Sequence, residues 1–229
     1  MQIIDTGALG TRSAVLRLKR RDSRLNFLVF PMLHVASPVF YAEVRRRLGE
    51  CAVVVAEGVS GPTIIGSALM LTYRVIPQNR ASGLVEQDID YRALGVEVIN
   101  PDVTGAEFDR TWRSLSLKCR LLMWVMLPVI VVLQLLGGRK RLLAPDVAIN
   151  DDDELPDSDI DEEFERLFGG ERDDRLLAAL VELHRTRSDE RIDVAVVYGA
   201  AHVPRLVHRL ADTLDYRPRT AHWITAIDW

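Results

Sequence analysis

Four short apolar runs in the chain each end in a residue able to do chemistry. FLVFPMLHV (27–35) presents His34 and AVVVAEG (52–58) presents Glu57. VEVINPD (96–102) ends at Asp102, and VAVVYGAAHV (194–203) presents His202. The first and last echo one another: an apolar run, a small turn, then a histidine followed by valine. Neutral imidazoles with carboxylates are the usual ligands of a divalent transition metal such as Zn, Mn, Co or Fe. Such a metal turns bound water into hydroxide near neutral pH and polarises a carbonyl. Without a metal, histidine and glutamate can serve as general base and acid. One such residue alone is more often a hydrogen-bonded structural group, because a buried polar atom must find partners. Three at the same kind of position tip the balance toward a site. His184, His208 and His222 fall on helical or terminal patterns and read as packing or surface residues.

These residues can meet only if the elements bearing them lie side by side. Residues 13–20 alternate, RDSRLN supplies a turn, and the next apolar run follows, so a hairpin leads into a buried strand. Residues 39–49 have apolar residues at helical spacing and close on Gly49. The β-branched run at 52–58 suits a buried parallel strand. Residues 83–94 suit a helix, 96–100 a strand and 104–118 a helix. Then come an amphipathic helix at 171–187, a buried strand at 192–199, and a helix at 203–214 with Pro204 in its first turn. The tail at 222–228 suits an edge strand. The pattern predicts an α/β fold: a mostly parallel central sheet flanked by helices, with a helical insertion in mid-chain. In such sheets, ligands bind beyond the carboxyl ends of the strands, which is where His34, Glu57 and His202 fall.

The composition agrees. The 229 residues are 48% hydrophobic and 27% charged, as in an ordinary globular domain, and fit a single domain spanning 1–229. A net charge of −4 gives no reason to expect nucleic acid. Two cysteines exclude a disulfide scaffold, and MQIIDTGALG has no secretory-signal pattern, so a cytoplasmic setting is expected.

Taken in order, the motifs resemble the TraB/PrgY–Tiki family of the erythromycin-esterase/ChaN-like superfamily. YGAAHV has the strand-to-GxxH form, FPMLHV an earlier counterpart, and VVVAEG follows an intervening helix. VEVINPDVTGAEFDRTWRSL (96–115) is similar to the family's strand, acidic turn and helix, and GERDDRLLAAL (170–180) to its Glu-Arg-Asp helix start. The resemblance covers roughly residues 13–210. It implies one site made of His34, Glu57, Arg172 and His202, with Gly199 as the turn glycine. His34, Glu57 and His202 would hold a divalent metal (Mn, Co or Zn), while Glu57 and Arg172 would act in catalysis. Two departures stand out: Pro31 replaces a glycine in the first motif, and Asn100-Pro101-Asp102 stands where relatives often have an Asp-Arg pair. Read on its own, Arg172 at a helix start could fork onto a substrate carboxylate or an oxyanion. It could equally be a surface residue paired with Glu171 or Asp173.

Mid-chain, residues 116–165 read as the insertion. LLMWVMLPVIVVLQLL (121–136) has no charge, but 16 residues fall short of the ~20 needed to span a bilayer. A single crossing would also divide the proposed site between two sides of a membrane. The run therefore suggests packing or a homo-oligomer contact first, and peripheral membrane contact second, with basic residues on both flanks. Between 146 and 163 there are ten acids and no base, which suits a solvated loop.

The expected activity is thus a metal-dependent hydrolase, in the manner of a peptidase, acting on a peptide or small molecule. The alternatives are a non-catalytic peptide- or small-ligand-binding (shutdown) protein on the same scaffold, and a metal-free esterase-like hydrolase.

Overall fold

A computed structural model describes residues 1–61, 63, 65–68, 83–142 and 159–228. Strands β1 (Ile4–Gly7) and β2 (Gly10–Lys19) form a hairpin, and β3 (Asn26–Met32) returns beside β2. After short β4 (Val35–Ala36) come helix α1 (Pro38–Leu48) and strand β5 (Val53–Ala56). Short β6 (Val85–Glu86) and β7 (Glu97–Ile99) precede helices α2 (Gly105–Ser114) and α3 (Leu117–Leu142). Helices α4 (Asp159–Phe168) and α5 (Gly170–Arg187) lead to β8 (Asp193–Gly199), α6 (Val203–Leu214) and β9 (Arg217–Asp228).

The main sheet runs β1-β2-β3-β8-β5-β7, with β9 on the other side of β2. β3, β8, β5 and β7 are parallel, while β1, β2 and β9 are antiparallel additions. The fold is therefore α/β, with a mostly parallel sheet flanked by helices. The central strands are β-branched and buried on both faces: Val53, Val54, Val55, Val194 and Val196 have no exposed surface. That explains why they read as continuous apolar runs rather than as an alternation. Helix α5 covers them with Leu176, Leu180 and Leu183, and α6 with Leu206 and Leu210.

Register places the strand ends together. Met32 pairs with Gly199, and Ala56 with Val197. His34 lies two residues beyond the first pair, His202 three beyond it, and Glu57 one beyond the second. Pro31 is no defect in this arrangement. It stands in the body of β3, with its carbonyl accepting the buried Ser13 hydroxyl at 2.7 Å, and not in the turn where a glycine would be wanted.

Three local expectations give way. The helix expected at 83–94 is instead β6, paired with β4, followed by one 3-10 turn at Tyr91–Leu94. Asp90 caps that turn through Arg92 N at 3.0 Å, and Gly95 ends it at φ 70°, so a local cap and a strand pairing override an apolar spacing that suited a helix. The helix expected at 104–118 breaks at Leu115, which is extended. Ser116 then caps the new helix, its hydroxyl accepting Cys119 N–H at 3.1 Å. The last strand starts at Arg217, earlier than its apolar pattern does, because the full length of β2 offers it a partner.

The insertion has its own small core. Trp112 and Phe108 of α2, Cys119 and Met123 of α3, and Leu167 of α4 pack together, apart from the main core. Most of the acidic run, at 143–158, lies outside the described residues. Among the described residues, no helix is long and apolar enough to cross a membrane. Cys51 and Cys119 are both free and buried.

Candidate functional site

Glu57 follows β5 directly, and its backbone still bonds to β8 through Val197 O at 3.0 Å. Its carboxylate is thereby aimed across the sheet end. Oε2 accepts Gly199 N–H at 2.7 Å, and Oε1 accepts Arg172 Nη2 at 2.7 Å. Gly199 has an ordinary φ of −53°, so its value lies in space rather than in backbone freedom. A Cβ there would sit 3.3 Å from Glu57 Oε2 and 3.6 Å from His202 Cδ2. The glycine leaves room for the carboxylate and the imidazole to come close to the same point.

Arg172 arrives from the first turn of α5. The abrupt α4–α5 corner contains Gly170 at φ 36°, a conformation that glycine tolerates best. The corner folds Arg172 back so that Nη1 donates to Phe168 O at 3.3 Å. The rest of the fork closes on Asp102, with Nε on Oδ1 at 2.8 Å and Nη2 on Oδ2 at 2.7 Å. The side chains are only 11% and 3% exposed, so Arg172 is neither a surface residue nor paired with its neighbours Glu171 and Asp173. The loop Asn100-Pro101-Asp102 is built for this contact. Asn100 Nδ2 donates to Gly58 O at 2.8 Å, and Asn100 Oδ1 accepts Asp102 N–H at 3.0 Å. Asp102 also accepts the N–H groups of Gly58 at 3.0 Å and Val103 at 2.7 Å. Burial alone would raise the Asp102 pKa, but the Arg172 fork and these backbone donors outweigh it and hold the carboxyl below its usual range. Burial likewise works against the charged form of Arg172, yet its two carboxylate partners push its pKa upward. The guanidinium thus organises the site and has little left to offer an oxyanion.

His202 ends a short 3-10 turn, Ala200–His202, that feeds α6. Its Nδ1 lies 3.5 Å from Asp173 Oδ1, a long contact for a hydrogen bond. Tyr198 donates its hydroxyl to the same Oδ1 at 2.7 Å, and its ring stands 5.2 Å from the imidazole. Asp173 is 5% exposed, and no donor reaches its buried Oδ2 among the described residues. Burial opposes charging of His202, but the Asp173 bond and charge, with Glu57 behind, shift its pKa upward overall. Tyr198 is shifted far upward by burial and then by the Asp173 charge, so it remains a donor.

Asp173 and Tyr198 were not singled out from the sequence. The signal was present but ambiguous: an acid in the first turn of a helix is already explained by the helix dipole, and a tyrosine at a strand end reads as core.

His34 follows β3 at the same edge, on a turn fastened by the Tyr41 hydroxyl to Leu33 O at 2.8 Å and by Gln87 N–H to the His34 carbonyl at 2.9 Å. Its side chain is exposed. The metal site expected from His34, Glu57 and His202 is not assembled. Among the described residues, no three His, Cys, Asp or Glu side chains are grouped to hold a metal ion. His34 stands exposed on its turn after β3, whereas Glu57 and His202 meet beside Gly199. As placed, His34, Glu57 and His202 do not form a Mn, Co or Zn centre.

Two open clefts, of about 480 and 460 Å³, lie at the opposite end of the sheet, where Asn26 and Asp193 start β3 and β8. There Arg17 is spent on Asp193 through two bonds of 2.9 Å. Among the described residues, no histidine lines either cleft. No family model matches the chain, and neither does any curated protein or solved structure.

Proposed function

We propose that the protein is a metal-free acyl hydrolase that cleaves an ester or amide bond in a small molecule or peptide, with His202 as general base on water. The observation that carries this reading is the pairing of His202 Nδ1 with Asp173 Oδ1, fixed from the other side by Tyr198. A carboxylate on Nδ1 orients an imidazole and stabilises its charged form, leaving Nε2 for the reacting proton. Such contacts are often long before substrate binds. Arg172 neutralises only one of its two carboxylates, so Glu57, Asp102 and Arg172 together leave one negative charge near the ring. That charge favours the imidazolium formed when water gives up its proton. The resemblance to TraB/PrgY–Tiki proteins supports the same site through Glu57, Arg172 and His202. The two free cysteines support a reducing, cytoplasmic setting.

A second reading, ligand binding without turnover, is favoured by one observation: Arg172 and Glu57 are largely saturated by each other and by Asp102 and Gly199. Activated acyl esters and unstructured peptides, offered in the presence of a chelator, separate the two. The hydrolase reading expects turnover that falls about a hundredfold or more in His202→Gln. Peptide binding with no turnover in wild type would replace it with the second reading. Turnover abolished by the chelator and restored by metal would overturn the metal-free mechanism.

A further inference from the structure

We propose that the outer face of α3 is a membrane-docking element that lies along an anionic lipid surface. Helix α3 buries a single narrow stripe: Cys119, Met123 and Leu127, four residues apart, are 0%, 4% and 8% exposed. The face turned away from that stripe is apolar yet in water. Leu121 is 62% exposed, Val125 53% and Val132 51%, while Trp124, 47% exposed, flanks the stripe with its ring edge-on to Trp112 at 6.4 Å. Of the twelve large apolar residues exposed in the described chain, eight lie on this one helix. Scattered apolar residues are normal on a surface, but a contiguous set marks an interaction site.

Charge selects the occupant. The 26 residues of α3 contain no acid. Lys118 stands exposed in its first turn, Arg120 beside it is half-buried with its Nε enclosed, and the sequence puts Arg139, Lys140 and Arg141 at its other end. Two copies paired along this face, parallel or antiparallel, would set a basic end against a basic end, and like charges opposed at an interface are costly. An anionic bilayer surface satisfies both ends at once. The apolar face enters the boundary between headgroups and chains, and the basic ends meet phosphate. Trp124 suits that depth, having a large apolar body and one N–H. The helix would lie on the surface rather than span it, since no described helix is long and apolar enough to cross.

The test is co-sedimentation of the full chain with vesicles of phosphatidylcholine alone, or with one quarter phosphatidylglycerol. Binding should be about tenfold or more tighter to the anionic vesicles and should weaken with added salt. The accompanying blue shift of tryptophan emission should vanish in Trp124→Phe. Val125→Glu/Val129→Glu, both at exposed positions, should abolish binding with thermal unfolding unchanged. Lys118→Gln/Lys140→Gln should weaken it by about fivefold for each charge removed. Absence of binding to either vesicle, or equal binding to both, overturns the proposal. So does a dimer at sedimentation equilibrium that Val125→Glu/Val129→Glu dissociates, because the face would then belong to a second copy.

Discussion

Arg172 and Asp102, seventy residues apart in sequence, close on each other through two hydrogen bonds of 2.8 and 2.7 Å. The pair joins the first turn of α5 to the loop after β7 and holds Glu57 in place. Removing one partner strands the other as a buried, uncompensated charge. Arg172→Ala should therefore destabilise the fold by about 3–5 kcal/mol, measured by denaturant unfolding. Arg172→Lys should recover only part of this, because an ammonium cannot reproduce the fork.

The same pair sets a pH dependence. The folded Asp102 pKa lies below its unfolded value of about 3.9. Its stabilisation is therefore present above that value and is lost as pH falls through the folded pKa. Unfolding free energies measured from pH 6 downward should decline in wild type, and the decline should be shallower in Asp102→Asn. An equal slope in the two proteins would contradict the assignment.

Gly199→Ala separates site geometry from stability. The backbone accepts alanine at φ −53°, so unfolding should shift by less than about 1 kcal/mol. The added Cβ would press on Glu57 Oε2, 3.3 Å away, and stand beside the His202 ring. Hydrolysis by this variant should fall about tenfold or more even though the fold is intact, since small misplacements at a reacting centre are costly. Wild-type rates in Gly199→Ala would show that the carboxylate and imidazole need no such approach.

Tyr198→Phe removes the one strong hydrogen bond to Asp173, leaving a 5% exposed carboxylate with only the long His202 contact among the described residues. A loss of about 1–3 kcal/mol of stability is expected in thermal or denaturant unfolding.

The sequence displayed the main strands and the helices flanking them, because buried parallel strands and amphipathic helices carry strong periodic signals. His202, Glu57 and Arg172 were visible as residues at the ends of those elements, and the structure brings them together. What each of them touches was not legible. The sequence around Arg172 offers two adjacent acids, and nothing local shows that the α4–α5 corner turns the side chain toward Asp102 instead. Asp173 was hidden by having a sufficient local explanation as a first-turn acid. The grouping expected for a metal was not legible for a related reason: ligand types can be read from sequence, but whether His34 joins Glu57 and His202 depends on where the turns after β3, β5 and β8 lead. The strand at 85–86 was missed because its partner, β4, is only two residues long.

The coupling of His202 to Asp173 is tested most directly by following the His202 imidazole by NMR as pH is varied, in wild type and in Asp173→Asn. The folded pKa is raised, so the charged ring stabilises the protein below about pH 6.5, that contribution is lost as pH rises through the folded pKa, and the neutral base accumulates above it. The expected result is a midpoint above 6.5 in wild type that moves down in Asp173→Asn, with the pH–rate profile moving alongside. A midpoint at or below 6.5 that does not respond to the substitution would contradict the account.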